Sequence, residues 1–514
     1  MSSPSAAHNG SSGAALDRGL MLVASVVVLG AIMSILDVTV VNVAINTLAK
    51  QFKTTLPTIQ WVATGYTLAL ATVIPLTGWA ADRFGTKRLY IISLTLFACG
   101  SALSGLAWSA ESLIVFRVLQ GFGGGMIMPA GMTILTRAAG TDRVGRVMAV
   151  IGIPMLLGPI FGPILGGWLV DDFSWRWIFF INLPIAVAAV TAAARILPRD
   201  VPKHDERLDW PGLLLLSPSL ALIIYGLAES GSHGGFGSAR VIAPIVVGLV
   251  MLALFVRHAL GARSPLIDLR LYLNRTFTVS SITLVLLVLS VFGGMLLLPL
   301  YLQVVRGESA MDTGLLLAPQ GFGAMISMPI AGRLTDRTGV GKIVPFGLVL
   351  VGLSFLALTQ LGADTSYVWF GFVLWVMGLG MGATMMPTFS GAMQTLRQSD
   401  VARASTTLNI QQQVGASIGT AVLSVLLTHE ISKQLGGHGG GGIGAAAAAI
   451  PPGQRATVLG KLADAFGHTY WYALALVIVA FVVATPLLPK QRPPAPAPEP
   501  GAEGEPEPAP VLMH

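Results

Sequence analysis

Two ionisable residues lie deep inside long apolar segments of this 514-residue chain: Asp37, in the block that begins near Leu20, and Arg117, in the block 111–136. An ionised side chain near the centre of a bilayer costs about 2.5–3.5 kcal/mol on insertion scales, so such residues persist where they serve a purpose. Arg117 stays charged at any accessible pH, whereas Asp37 can take up a proton once desolvated. A neighbouring guanidinium favours the ionised carboxylate and burial opposes it, so closing a cavity around the pair would shift that balance. Types and positions point to a proton switch. A purely structural ion pair is the other reading.

The switch works only if two segments hold the residues at one depth. Span one enters near Leu22 from the side of the N-terminus, which puts Asp37 roughly 22 Å along at about 1.5 Å per residue. That is about 8 Å short of the far edge of a hydrocarbon core roughly 30 Å thick. Span four enters from the opposite side near Glu111, which puts Arg117 roughly 9 Å down. The depths agree, and the two side chains are expected to face the same cavity.

Composition places those segments in lipid. Hydrophobic residues make up 54% of the chain and charged residues 11%, with a mean hydropathy of +0.74; a soluble domain carries about 25% charged residues. Fourteen segments near the length that crosses a bilayer as a helix are read at 20–48, 58–81, 87–107, 111–136, 144–170, 176–197, 210–229, 238–258, 276–304, 312–333, 342–361, 366–390, 402–428 and 468–489. The first has no cleavage-like site and is read as an uncleaved span. The lone Cys99 can form no internal disulfide and is read as packing.

The net charge of +7 is not a nucleic-acid signal, because the basic residues sit in short loops between apolar blocks. With the N-terminus in the cytoplasm, most of the 31 Lys and Arg fall in inside loops. Lys50, Lys53, Arg176, Arg240, Arg306, Lys433, Arg455 and Lys461 fall outside. That asymmetry fits an even number of spans with both termini cytoplasmic. The Gly/Ala-rich stretch 429–467 is read as a mobile external loop and the Pro/Ala/Glu-rich tail as disordered.

The chain also repeats itself. After the second span it reads Gly78, Asp82, Arg83, Gly85, Lys87, Arg88; after the tenth, Gly332, Asp336, Arg337 and Gly339 stand at matching spacing on the same expected side. Duplicated halves place a central cavity at the interface between them. Each copy is expected to form a tight Gly-assisted turn, its Asp capping a helix and its Arg and Lys staying with the headgroups. In the fifth span Gly158, Gly162 and Gly166 recur every four residues beside Pro159, Pro163 and Gly167. The glycines share a face that permits close helix approach, and the prolines bend the helix. The functional reading is a pliable seam between halves that limits proton leak; the plain one is a tightly packed helix.

With these motifs the sequence resembles the major facilitator superfamily, specifically its fourteen-helix drug:proton antiporter branch. The resemblance rests on Gly78–Arg88, on Leu36-Asp37 through Asn42 in span one, and on Arg117, Gln120 and Gly121 in span four. It rests further on Gly158–Gly167, on Trp175 through Pro184, and on Leu208–Gly212. It implies an all-α integral membrane protein of the major-facilitator fold, two six-helix bundles plus two inserted helices. The implied order is a cytoplasmic tail 1–18, an N-terminal bundle 19–200, an inserted pair 201–262, a C-terminal bundle 263–490 and a tail 491–514. It implies Asp37 as the proton-coupling acid and Arg117 as its modulator, in a multi-pass protein of a bacterial-type inner cell membrane. The partners are then protons, small-molecule substrates and the lipid bilayer, with a monomeric chain, no cofactor but the proton gradient, and no metal.

The expected activity is proton-coupled export of small amphipathic or cationic compounds; a dedicated exporter of one endogenous antibiotic, lipid or metabolite on the same fold is the alternative. Candidates for the substrate cavity are Asn42, Tyr66, Gln120, Gln303, Gln320 and Gln412, with Gln60, Asn182 and Asn409 as further polar residues; any one of them can instead bond helix to helix. Span ten carries no acid beyond Asp312 at its external end, which disfavours dicationic cargo. A membrane enzyme would want clustered His, Cys or carboxylates or a nucleophile elbow, and an ATP-driven pump a phosphate-binding loop; the sequence has neither.

Overall fold

Backbone polar groups in hydrocarbon have no water to bond, so apolar runs of this length satisfy their N–H and C=O groups internally, as helices. The computed structural model describes residues 18–54, 56–139, 158, 161–162, 165–170, 172–198, 208–232, 237–262, 265–397, 400–434 and 455–491. In chain order the helices are α1 (Arg18–Gln51), α2 (Leu56–Val73), α3 (Leu76–Phe84), α4 (Thr86–Gly105), α5 (Ala110–Ala139), α6 (Trp177–Phe180) and α7 (Asn182–Ile196). They continue with α8 (Trp210–Ser232), α9 (Ala239–Gly261), a 3-10 turn (Leu269–Leu273), α10 (Arg275–Val304), α11 (Ala310–Thr338), α12 (Val340–Leu358), α13 (Tyr367–Gln394), α14 (Val401–Gln434) and α15 (Arg455–Leu487). Among the described residues twelve helices are long and apolar enough to cross a membrane, or thirteen if the bent pair α2–α3 is one span. Large apolar side chains such as Val187, Leu254, Phe346 and Val368 point outward, as lipid-facing residues do.

The structure departs from the hydropathy pattern in two places. Span two is not straight: its halves α2 and α3 meet at 56°. The cause is Pro75, which lacks an N–H and whose ring excludes the carbonyl one turn earlier; the Thr77 amide bonds Ile74 instead. The last helix is longer than read. It begins at Arg455, inside the stretch expected as external loop, because 455–467 is amphipathic rather than apolar. Leu462, Ala463, Ala465 and Phe466 are buried there while Lys461 and Asp464 face out. Residues 435–454, both tails and most of 140–164 lie outside the described residues.

The repeated motif folds the same way twice. Gly85 (φ 83°, ψ 146°) ends α3 and starts α4; Gly339 (φ 85°, ψ 159°) ends α11 and starts α12. One residue in a glycine-only conformation therefore joins two helices. Asp82, expected as a helix cap, is instead buried inside α3. It pairs with Arg137 in the last turn of α5 at 3.2 Å, and the start of α4 has no side-chain cap. In the second copy Asp336 accepts from Gln394, in the last turn of α13, at 3.4 Å. Lys87 does not stay with the headgroups: its Nζ donates to the Ala194 and Leu197 carbonyls at 2.8 and 2.7 Å, closing the end of α7. Arg88 and Arg337 are exposed and Arg83 half-buried.

Around these turns α4 and α2 pack on α5, and α1 on α5 and α7; α11 and α12 pack on α13, and α10 on α14 and α15. The α8–α9 hairpin sits against both α2 and α14. It starts at Asp209, which caps α8 through the Gly212 amide (2.9 Å). The same carboxylate holds His258 of α9 (2.7 Å) and the Leu266 amide (3.2 Å). Ser217 of α8 donates to the Thr72 carbonyl at 2.6 Å, beside the α2–α3 break, and Tyr225 stacks on Trp61. Against α14 the hairpin offers apolar side chains, Leu216, Leu220, Ile223 and Leu227.

Valine at position 85 or 339 would carry a β-branched side chain into a region open essentially to glycine. Each substitution is expected to lower stability by about 1–3 kcal/mol, read as a drop in the thermal unfolding midpoint of purified protein. Phe84→Val, one residue away on the lipid side, should leave it nearly unchanged.

Candidate functional site

Asp37 lies past the middle of α1, and Arg117 and Gln120 lie three residues apart on one face of α5. α4 can bring its backbone to that face because residue 100 is glycine: a Cβ there would stand 2.6 Å from the Gln120 Cα. From the other side, α6 breaks at Ile181 and α7 opens with Asn182, which turns its amide inward.

The Asp37 carboxylate sits in this space with 1% of its surface exposed, and so does Arg117. Arg117 Nη1 is 2.5 Å from Asp37 Oδ2. Gln120 Nε2 donates to Asp37 Oδ1 at 2.8 Å, and Asn182 Nδ2 to the same oxygen at 3.1 Å. The carboxylate thus accepts from three N–H groups on two helices, a set suited to an acceptor-only ion. Arg117 is held in turn by Gln120 Oε1 (2.9 Å) and the Val62 carbonyl (3.2 Å), with the Tyr66 ring 4.1 Å under its guanidinium. Asn182 Nδ2 also donates to Ser101 Oγ (3.1 Å), whose hydroxyl donates to the Phe179 carbonyl (2.9 Å). The matching depths read from the sequence are realised as direct contact, but in a sealed cluster and not on an open cavity.

The glycines of the fifth expected span frame this cluster. A Cβ at Gly158 would stand 2.0 Å from Ile35 Cγ2, one at Gly162 1.9 Å from Thr39 Oγ1, and one at Gly166 3.1 Å from the Val40 carbonyl. Their shared face lies on α1 at the residues flanking Asp37, and Thr39 Oγ1 donates to the Gly158 carbonyl at 3.3 Å. The seam expected between halves is, for these glycines, a seam against α1. Gly167 has nothing within 4 Å of a built Cβ. Pro159 and Pro163 lie outside the described residues.

The six cavity candidates do not converge. Tyr66 and Gln120 belong to the sealed cluster. Gln303 is exposed at the far end of α10, and Gln320 donates to Met381 Sδ at 3.0 Å. Gln412 Nε2 is buried without a partner, and Asn409 bonds the Ser405 carbonyl of its own helix. The side chains of Asn42 and Gln60 lie outside the described residues.

Cavities occur elsewhere. One of about 290 Å³ lies between α2, α8, α10 and α14, with hydroxyls from Thr64, Thr67, Ser417, Thr420 and Ser424 on its wall. A nearly apolar one of about 330 Å³ lies between the α8–α9 hairpin and α10 and α14. Toward the end of the molecule that carries Gly85 and Gly339, α14 touches α5 and α3. Ser405 donates to the Pro129 carbonyl at 3.3 Å, and a Cβ at Gly78 would meet Thr406 Oγ1 at 3.2 Å. Ser101 is the site residue that sequence reading missed, because a lone serine in an apolar span carries no signal.

Removing one member of a buried ion pair strands the other. Arg117→Ala is expected to destabilise the protein by about 3–5 kcal/mol. Adding Asp37→Asn should return most of that loss, read as a double-mutant cycle on thermal unfolding midpoints.

The description of the family model that matches residues 27–420 is Major Facilitator Superfamily. The Multidrug resistance protein B homolog of Mycobacterium tuberculosis (strain ATCC 25618 / H37Rv) is 45% identical over 494 residues, covering 93% of this chain and 91% of its own. The Multidrug export protein EmrB of Escherichia coli (strain K12) is 32% identical over 411 residues, covering 79% of each chain. Among solved structures, the human organic anion transporter MFSD10 (TETRAN) aligns with a TM-score of 0.57 at 15% identity, covering 89% of this chain and 99% of its own, a likeness of fold. The chain belongs to the major facilitator superfamily, in its drug-efflux family, and is a membrane transporter rather than an enzyme.

Proposed function

We propose that this transporter exports small amphipathic or cationic compounds in exchange for protons, by alternating access, with Asp37 as the group that carries the proton. The observation that supports this most directly is the water-free Asp37–Arg117 pair: one member can lose its charge, the other cannot. Gln120 and Asn182 are ready donors for the ionised form. A carboxylate so enclosed can exchange its proton only when the helices around it part, which ties protonation to conformation.

On this reading the cavity between α2, α8, α10 and α14, with hydroxyls from α2 and α14, is one end of the substrate path, and the contacts of Ser405 and Gly78 close the other. A wall of hydroxyl and apolar groups suits amphipathic cargo bound without fixed charge. Names of relatives at 45% and 32% identity support drug-like cargo. The full topology we propose has fourteen spans, the fifth at 144–170, where residues 165–170 are helical. It divides into two six-helix bundles, with α8–α9 as the inserted pair, in an inner cell membrane with both termini cytoplasmic. The chain works as a monomer energised by the proton gradient alone.

The test is substrate-induced proton release. Purified protein in weakly buffered detergent should release protons on addition of tetraphenylphosphonium or ethidium. Asp37→Asn should release none and should fail to drive uptake of either cation into inverted vesicles against its gradient. Uphill transport by Asp37→Asn would remove Asp37 from the mechanism. No release from the unsubstituted protein with any cation or neutral drug would remove proton antiport of these compounds.

A further inference from the structure

Asn182 stands out within the cluster for what its amide does not do. It is the first residue of α7, one past the N-cap position that Ile181 holds. Its Nδ2 reaches across to Asp37 Oδ1 and Ser101 Oγ, both at 3.1 Å, and its Oδ1 is buried with no partner. The residue is 1% exposed and Ser101 is fully buried. A buried, unpartnered carbonyl costs about 1–3 kcal/mol, so its presence beside a titrating acid calls for an account.

Resting on the proton-coupling reading of Asp37, we propose that Asn182 is the positioning residue through which Asp37 is accommodated in both of its protonation states. With Asp37 ionised, Asn182 donates through Nδ2, as the structure has it. When a proton from solvent binds Asp37 at Oδ1, the acid becomes a donor and needs an acceptor. Gln120 Oε1 is already occupied by Arg117, and Oδ2 faces the guanidinium. Asn182 Oδ1 is the free acceptor, and a half-turn of its amide brings it to the place Nδ2 held. The step adds one proton to one carboxylate oxygen, forms one O–H···O bond and returns the proton when the amide turns back. The groups that face Asp37 from the packed helices are Arg117 and Gln120 of α5, Tyr66 of α2, and Asn182 of α7; Ser101 of α4 braces Asn182. Of these only Arg117 is charged.

The proposal is tested on the pH profile of tetraphenylphosphonium/proton exchange in proteoliposomes. Asn182→Leu removes a donor to the ionised form, worth about 1.5–3 kcal/mol, and an acceptor to the protonated form, worth about 0.5–1.5 kcal/mol, so the larger loss falls on the ionised form and the proton is retained to higher pH. The half-maximal pH should move to the alkaline side by about one unit. Asn182→Asp, which keeps the shape, should move it at least as far the same way, because two carboxylates then compete for one proton. A purely packing role predicts a lowered melting temperature in Asn182→Leu with an unmoved profile; the Asn182→Asp shift follows from the added charge under either role and shows that the profile reads Asp37. An unshifted profile in Asn182→Leu, once folded, overturns the proposal. Failure of the two ideas is distinguishable: if the unsubstituted protein shows no substrate-induced proton release, the antiport reading falls first. If it does and Asn182→Leu keeps its profile, only the role of Asn182 falls.

Discussion

A carboxylate and a guanidinium 2.5 Å apart and cut off from water set the terms for the rest of the N-terminal half. Neither charge is tolerable there alone, so the helices carrying them, α1 and α5, must be held in fixed register. The surroundings meet that demand with short contacts from other helices. Gly100 lets α4 press on Gln120, Gly158, Gly162 and Gly166 press on α1 at Ile35, Thr39 and Val40, and the Val62 carbonyl of α2 holds the Arg117 Nε. The ring of Tyr66 then covers the guanidinium face. Small residues and one aromatic plate thus bring the helices close around the pair, and without water to solvate them the charges stay together.

The rest of the molecule is connected to this centre through its ends. At one end, single glycines at 85 and 339 turn the chain between helices, and Asp82 and Asp336 bond back to Arg137 and Gln394 on the helix behind. The same end holds Gly78 against α14 and Ser405 against α5. Toward the other end, hydroxyls of α2 and α14 face each other across a cavity. The α8–α9 hairpin shares this asymmetry. Ser217 donates to Thr72 and Tyr225 stacks on Trp61 on the α2 side, whereas Leu216, Leu220, Ile223 and Leu227 pack on the α14 side.

Most of this architecture was legible in the residues, for identifiable reasons. Spans are written in hydropathy because lipid admits little else, and most of the described helices end within about five residues of them, the exceptions being the end of α14 at Gln434 and the start of α15 at Arg455. The meeting of Asp37 with Arg117 was legible because two depths counted from opposite sides coincide. What was not legible is where backbone geometry decides. Pro75 reads as one more residue in an apolar run, yet it breaks span two. Residues 455–467 read as loop by their mean polarity, although their apolar side chains fall on one helical face. Asp82 looks like a cap by type but is claimed by Arg137, fifty-five residues away. Ser101 is one serine among several in span three, and only its distance to Asn182 gives it meaning.

The two halves repeat the turns but not the charges, and the difference follows from what each feature needs. A turn made by one residue at φ near +85° admits glycine and little else, so geometry alone keeps both copies alike. An intramembrane ion pair needs a second charge, matched depth, extra donors and dry walls, and each is a separate demand. All are met around Asp37. Among the described residues of α10 to α15, the buried acids are Asp336 and Glu430, in the last turns of α11 and α14. If Asp37 carries the proton, as we propose, one such centre can bias the whole molecule, because α14 touches α5 and α3 at Ser405 and Gly78. On the proposed reading the cargo cavity then needs no second charge: uncharged hydroxyls from α2 and α14 suit a wide range of amphipathic shapes without holding any one of them tightly.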